Sequence, residues 1–89
     1  MISQGKEVLR ERYEQLEKRI RLPENMEKYK KCVSNPTTRN EELLHLHFKH
    51  AEDYLLRLEK YEADELIMVS FSAALRKIEQ ILDEEGWAK

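Results

Sequence analysis

The chain has 89 residues, of which 38% are charged and only four are glycine or proline, so it is long enough for one domain and no more. Apolar residues recur at helical spacing, which argues against a disordered chain. The net charge of −2 gives no general electrostatic footprint for nucleic acid. We predict one all-α domain over residues 1–89, a small antiparallel bundle of three long helices and one short helix.

The first two predicted helices meet at a proline. A narrow apolar seam predicts a helix over residues 3–21, with members every three or four residues: Leu9, Tyr13, Leu16 and Ile20. Pro23 ends this helix, because its ring clashes with a continuing turn, and proline is favoured at the first position of a new helix. A short second helix is predicted over residues 23–33, before the break at residues 34–36.

The third helix has a clear start signal. Thr38 and Glu41 form the pattern of a capping box, in which each side chain bonds the backbone amide of the other residue. A broad apolar stripe follows and predicts a helix over residues 39–60.

A fourth helix is predicted over residues 65–85, with Asp64 as its N-cap. The alternative is one bent helix of about 45 residues, because no glycine or proline separates the two apolar stripes. Gly86 can adopt the left-handed conformation of a helix C-cap, and Trp87 would then pack back on Leu82. The alternative for Trp87 is an exposed anchor for a partner.

The fourth helix carries a second apolar edge. Leu66, Val69 and Ala73 lie on the side away from the main stripe that contains Phe71 and Ile78. A helix that is apolar nearly all round is either central in its own chain or covered by another subunit. These three residues are our candidate protein interface, with an unidentified protein or a second copy of the chain as partner.

Residues 39–45 read Arg-Asn-Glu-Glu-Leu-Leu-His, which resembles the Arg-Asn…His signature of HEPN-domain ribonucleases. The resemblance covers seven residues. It implies a dimer that cleaves RNA, in which His45 is the acid–base group and Arg39 stabilises phosphate charge. The other interpretation is a capped helix start followed by a surface histidine.

The two halves of the chain differ in charge. Residues 1–36 carry nine Lys or Arg against six Glu, whereas residues 37–89 carry seven against twelve acidic residues. A third hypothesis is nucleic-acid binding through the basic residues of the first half: Arg19, Arg21, Lys28, Lys30 and Lys31. The alternative is a solvated helix surface with ordinary i,i+4 ion pairs.

Other chemistry is weakly indicated. One helix cannot direct His45, His47 and His50 to a single tetrahedral metal, so we predict neither a metal nor a cofactor. Cys32 is the only cysteine, and a lone thiol without a leader segment is typical of a reducing compartment. The longest nearly apolar run falls far short of the roughly 20 residues that span a bilayer. We therefore expect a cytoplasmic protein-interaction or regulatory module that binds by a helix face, without catalysis and away from membranes.

Overall fold

The computed structural model describes residues 2–61 and 64–89, without the side chains of residues 2–4. These residues form an all-α fold of four helices: α1 (Ile2–Ile20), α2 (Pro23–Ser34), α3 (Arg39–Lys60) and α4 (Glu65–Glu84). The described part of the chain contains no strand. Each observed helix end lies within one residue of the predicted position.

The breaks around α2 follow from local chemistry. Pro23 is the first residue of α2, where its missing N–H would have had no partner inside the helix. Ser34 ends the helix, and its hydroxyl donates to the Lys30 carbonyl at 2.8 Å. The Asn35 amide donates to the Lys31 carbonyl at 2.8 Å, so the last turn of α2 is hydrogen-bonded. Pro36 then prevents the helix from continuing.

Side-chain caps start α3 and α4. The Glu41 amide donates to Thr38 Oγ1 at 3.1 Å, and the Thr38 amide donates to Glu41 Oε1 at 3.1 Å. The predicted capping box is therefore confirmed. Asp64 Oδ1 accepts the Leu66 amide at 2.8 Å, which confirms the predicted N-cap of α4.

The alternative of one continuous helix through residues 39–85 is wrong. α3 ends at Lys60, and Tyr61 has extended backbone angles, with φ −119° and ψ 169°. Residues 62 and 63, which lie between the predicted third and fourth helices, are outside the described residues.

The end of α4 is the predicted glycine cap. Gly86 has φ of +67°, in the left-handed region that a side chain disfavours. Its amide donates to the Asp83 carbonyl at 3.2 Å, and the Trp87 amide donates to the Leu82 carbonyl at 2.9 Å. These two hydrogen bonds satisfy carbonyl groups in the last turn of the helix. Trp87 is buried, so the alternative of an exposed aromatic anchor is wrong.

Contacts along the bundle show the directions of the long helices. Arg12 Nη1 donates to Ser72 Oγ at 3.4 Å, and Arg19 pairs with Asp83 at 2.9 Å, so α1 and α4 run parallel.

α3 runs against α1. Arg10, early in α1, pairs with Glu59 near the end of α3 at 3.2 Å. Tyr13, further along α1, stacks edge-on against Phe48 nearer the start of α3, with ring centroids 6.4 Å apart. The C-terminal ends of α1 and α4 and the start of α3 therefore lie at one end of the molecule, beside α2.

One hydrophobic core joins these helices. The predicted seam of α1 faces inward, and the fully buried large apolar side chains come from α3 and α4: Leu44, Leu58, Phe71, Leu75, Ile78 and Leu82.

A polar cluster fastens the C-terminus to α1 and α2. Asn25 is fully buried; its Nδ2 donates to the carbonyls of Arg19 (2.7 Å) and Ala88 (2.8 Å), and its Oδ1 accepts the Ala88 amide at 3.1 Å. The Arg19 guanidinium donates to the carbonyls of Trp87 (2.9 Å) and Ala88 (3.0 Å). We call Arg19, Asn25, Trp87 and Ala88 the C-terminal latch.

Candidate interaction surfaces

The predicted interface residues Leu66, Val69 and Ala73 lie together on the outer side of α4, and we call them the outer α4 face. Leu66 is 74% exposed and Val69 is 62% exposed, whereas Phe71 and Leu75 on the opposite side are fully buried. Spacings of three and four residues place all three on one side of the helix. The alternative that other helices of the same chain cover this face is therefore wrong.

Opposite charges stand at the two ends of this face. Glu65 precedes it and Arg76 follows it, and both are exposed. They are eleven residues apart, which is three turns of helix and about 16 Å, so they lie within roughly 20° of one another around the axis. Neither forms an ion pair with another residue in the described ranges.

Val8 is a further exposed apolar residue, on α1. It is 53% exposed and shares a side of α1 with Gly5 and Arg12. A β-carbon added at Gly5 would lie 2.8 Å from Met68 Cε, and Arg12 contacts Ser72. Val8 is therefore on the edge of α1 that faces α4. The sequence analysis missed it, although it is the apolar residue that does not fit the narrow seam of α1.

A groove of about 290 Å³ lies between α1, α2 and α3, and we call it the tyrosine groove. Tyr13, Tyr29 and Phe48 form its aromatic part, with the Tyr29 and Phe48 ring centroids 5.5 Å apart. His45 and Lys49 contribute polar groups from α3. The groove therefore combines an aromatic wall with charged side chains of both signs, among them Lys49 and Glu52.

The phenols in this groove stay neutral near physiological pH. The pKa of Tyr13 and that of Tyr29 are each raised to about 12, mainly by burial, and the negative charges of Glu17 and Glu52 contribute to the shift at Tyr13. Each hydroxyl can donate a hydrogen bond to a ligand, but neither acts as a general base at neutral pH.

The structure does not bring the two residues of the ribonuclease-like motif into one site. His45 lines the tyrosine groove, and its Nδ1 atom is buried without a hydrogen-bond partner among the described protein residues. Arg39 is exposed at the first turn of α3 and does not line the groove. Six residues of helix separate the two by about 9 Å along the axis and about 120° around it.

Intramolecular contacts divide the five basic residues of the nucleic-acid hypothesis. The Arg19 side chain is only 10% exposed within the latch, and Lys31 donates to a glutamate of α3 at 2.9 Å. Lys28 lies 5.8 Å from the centroid of the tryptophan ring. Arg21, just after α1, pairs with Glu17 of α1, and Lys30 pairs with Glu27 within α2, each at 3.5 Å. No continuous patch of unpaired cations results from these five residues in the described structure.

His47 and Cys32 lie in ordinary structural settings. Burial lowers the pKa of His47, and the nearby charges of Lys77 and His50 add to this effect. Cys32 is 1% exposed, and burial raises its thiol pKa. Within the described ranges, no three His, Cys, Asp or Glu side chains converge as metal ligands.

Each described helix is too short or too polar to cross a lipid bilayer. No known protein family, curated protein or solved structure matches this chain.

Proposed function

We propose that this protein is a small protein-interaction module that binds by the outer α4 face and has no catalytic role of its own. The single observation that supports this function is the exposure of Leu66 and Val69 on a helix whose other side forms the core. Exposed apolar side chains that cluster on one helix face mark a protein interaction site more often than isolated ones do.

The chemistry of the face fits a helix or another flat apolar surface. Leu66, Val69 and Ala73 repeat at helical spacing, so they form a stripe, and the exposed Val8 lies on the edge of α1 that faces α4. Charged residues stand only at the ends and edges, which is the arrangement of an interface with an apolar centre and a polar rim. A partner that covers the stripe would remove these side chains from water and gain affinity in proportion to the apolar area buried.

The two alternatives have weaker support. RNA cleavage by Arg39 and His45 needs both groups at one phosphate, and they lie on different sides of α3. Nucleic-acid binding through the first half needs free cations along a surface, and Arg19 and Lys31 are engaged inside the fold. Both remain hypotheses, with His45→Ala and the salt dependence of nucleic-acid affinity as their respective tests.

A pair of matched valine substitutions tests the proposed function. Val69→Glu places a charge in the centre of the outer α4 face, and Val33→Glu makes the same change at an exposed valine of α2. Immobilised wild type and both variants are used to capture proteins from cell extract. The captured protein is then purified and titrated against each variant by calorimetry.

We expect Val69→Glu to lose the partner and Val33→Glu to keep it, because only the first buries an unpaired charge on binding. Circular dichroism shows that both variants are folded. The proposal fails if folded Val69→Glu and Val33→Glu bind the same partners with equal affinity.

A further inference from the structure

We propose that the occupant of the outer α4 face is the same face of a second copy of this chain, packed antiparallel about a two-fold axis. This inference rests on the proposed function, since it names the partner of the same surface. The axis passes midway between Val69 and Ser70, close to the centre of the apolar stripe.

The first argument is the size of the side chains. Leu66 and Ala73 lie at equal distances on either side of this axis, and one is large where the other is small. In an antiparallel pair, Leu66 of each copy therefore packs over Ala73 of the other, while the two Val69 side chains meet near the axis. Large side chains opposite small ones are what allows two helix faces to interdigitate.

The second argument is charge. Glu65 and Arg76 lie on the same edge of α4 at opposite ends of the stripe. A two-fold axis across the helix brings the same edges of both copies together and reverses their direction. Glu65 of one copy then stands within about 3 Å, along the helix axis, of Arg76 in the other, a gap that an arginine side chain can span. The symmetry makes two such pairs.

A parallel arrangement lacks this match. A two-fold axis that relates parallel helices runs along them and carries this edge to opposite sides of the interface in the two copies, so Glu65 and Arg76 form no pair across it. The face is therefore complementary to an antiparallel copy of itself. One helix face with Val8 beside it is small for an interface, so we expect a weak dimer, with a dissociation constant in the micromolar range.

A charge-exchange cycle tests this arrangement on the full-length chain. Sedimentation equilibrium measures the dimer dissociation constant of the wild type, Glu65→Arg, Arg76→Glu and the double variant. Glu14→Arg is the matched control, because Glu14 is exposed on α1 and pairs with no residue in the described ranges.

Each single exchange should raise the dissociation constant about tenfold, because it replaces two attractive pairs by two repulsive ones. The double variant should return to within about threefold of the wild type, since the pairs are restored with their signs exchanged. Glu14→Arg should leave the constant unchanged, and Val69→Glu should raise it by more than about a hundredfold.

Two results overturn the inference. A wild type that stays monomeric up to near-millimolar concentration excludes the second copy. A dimer in which the double variant is as weak as the single ones excludes the antiparallel register. Neither result affects the proposed function, which fails only if Val69→Glu and Val33→Glu keep the same captured partners.

Discussion

Apolar residues near the two ends of α4 differ in their exposure to solvent. At the C-terminal end, Trp87 is 7% exposed, and the chain beyond it is held by Asn25 and Arg19. Toward the N-terminal end, Leu66 and Val69 are more than half exposed. The chain just beyond the end of α4 therefore belongs to a closed region, the C-terminal latch, whereas the first turns of α4 form an open one, the outer α4 face.

This contrast separates residues that stabilise the fold from residues that are available to a partner. The latch satisfies its polar groups within the chain, so it has little left to offer another molecule. The outer α4 face has apolar atoms in water, and covering them would be favourable. Substitutions in the latch should therefore change stability, and substitutions in the outer α4 face should change association.

Alanine substitutions in the C-terminal latch and in the outer α4 face should give the largest difference in the free energy of unfolding. Trp87→Ala should lower the free energy of unfolding by about 3–5 kcal/mol, because it leaves a cavity between the C-terminus and the core. Val69→Ala should change it by no more than about 0.5 kcal/mol, because Val69 already contacts water. Urea unfolding followed by circular dichroism measures both.

Trp87→Phe keeps the test informative if Trp87→Ala does not fold, since a smaller aromatic ring should give an intermediate loss. Equal losses for Trp87→Ala and Val69→Ala would contradict the division between a closed and an open region.

Removal of the Asn25 side-chain amide should have the next largest effect on the free energy of unfolding. Asn25→Ala removes three hydrogen bonds and leaves the Ala88 amide without a partner, while the Arg19 carbonyl keeps only the bond from the Leu22 amide at 3.3 Å. We expect a loss of about 1–3 kcal/mol in the free energy of unfolding, because unpaired polar groups remain in a buried site. Trp87 fluorescence during urea unfolding measures this loss and reports on the latch directly.

Gln15→Ala is the control for Asn25→Ala. Gln15 is an exposed amide on α1, and its removal should alter stability by less than about 0.5 kcal/mol. If Asn25→Ala and Gln15→Ala lose the same free energy of unfolding, the latch does not contribute to stability.

Structural features that arise from residues close together in the chain could be predicted from the sequence. The caps at Thr38, Asp64 and Gly86 involve bonds within a few residues, so their residue types were sufficient. Burial of Asn25 was not predictable in this way, because its partner Ala88 is 63 residues away in the chain. Its setting depends on how the C-terminus crosses α1 and α2.

The outer α4 face was predictable only in part. The spacing of Leu66, Val69 and Ala73 identified a second apolar edge, but it could not distinguish a central helix from an exposed one. That distinction depends on where α1 and α3 pack around α4. The pairing of Glu65 with Arg76 in a second copy depends on the direction of two chains, which a single sequence does not state.

The smallest expected effect concerns the junction of α2 and α3, near the latch end of the bundle. Glu41 accepts hydrogen bonds from Lys31 at 2.9 Å, from the Thr37 hydroxyl at 2.9 Å and from the Thr38 amide. Bonds from Lys31 and then Thr37 lower the pKa of the Glu41 carboxyl to about 2. The ionised carboxylate is therefore the form that the fold favours.

A carboxyl whose folded pKa is depressed adds stability above its unfolded pKa, and this stability is lost as the pH falls through the folded value. For Glu41 the window runs from the ordinary value of 4.5 down to about 2. We expect Glu41→Gln to be less stable than the wild type above pH 5 and to converge with it near pH 2. Thermal unfolding across this range measures the difference, with Glu14→Gln as the matched exposed control. A difference between wild type and Glu41→Gln that is the same at pH 2 and pH 7 would show that the hydrogen bonds at this junction do not depend on the charge of Glu41.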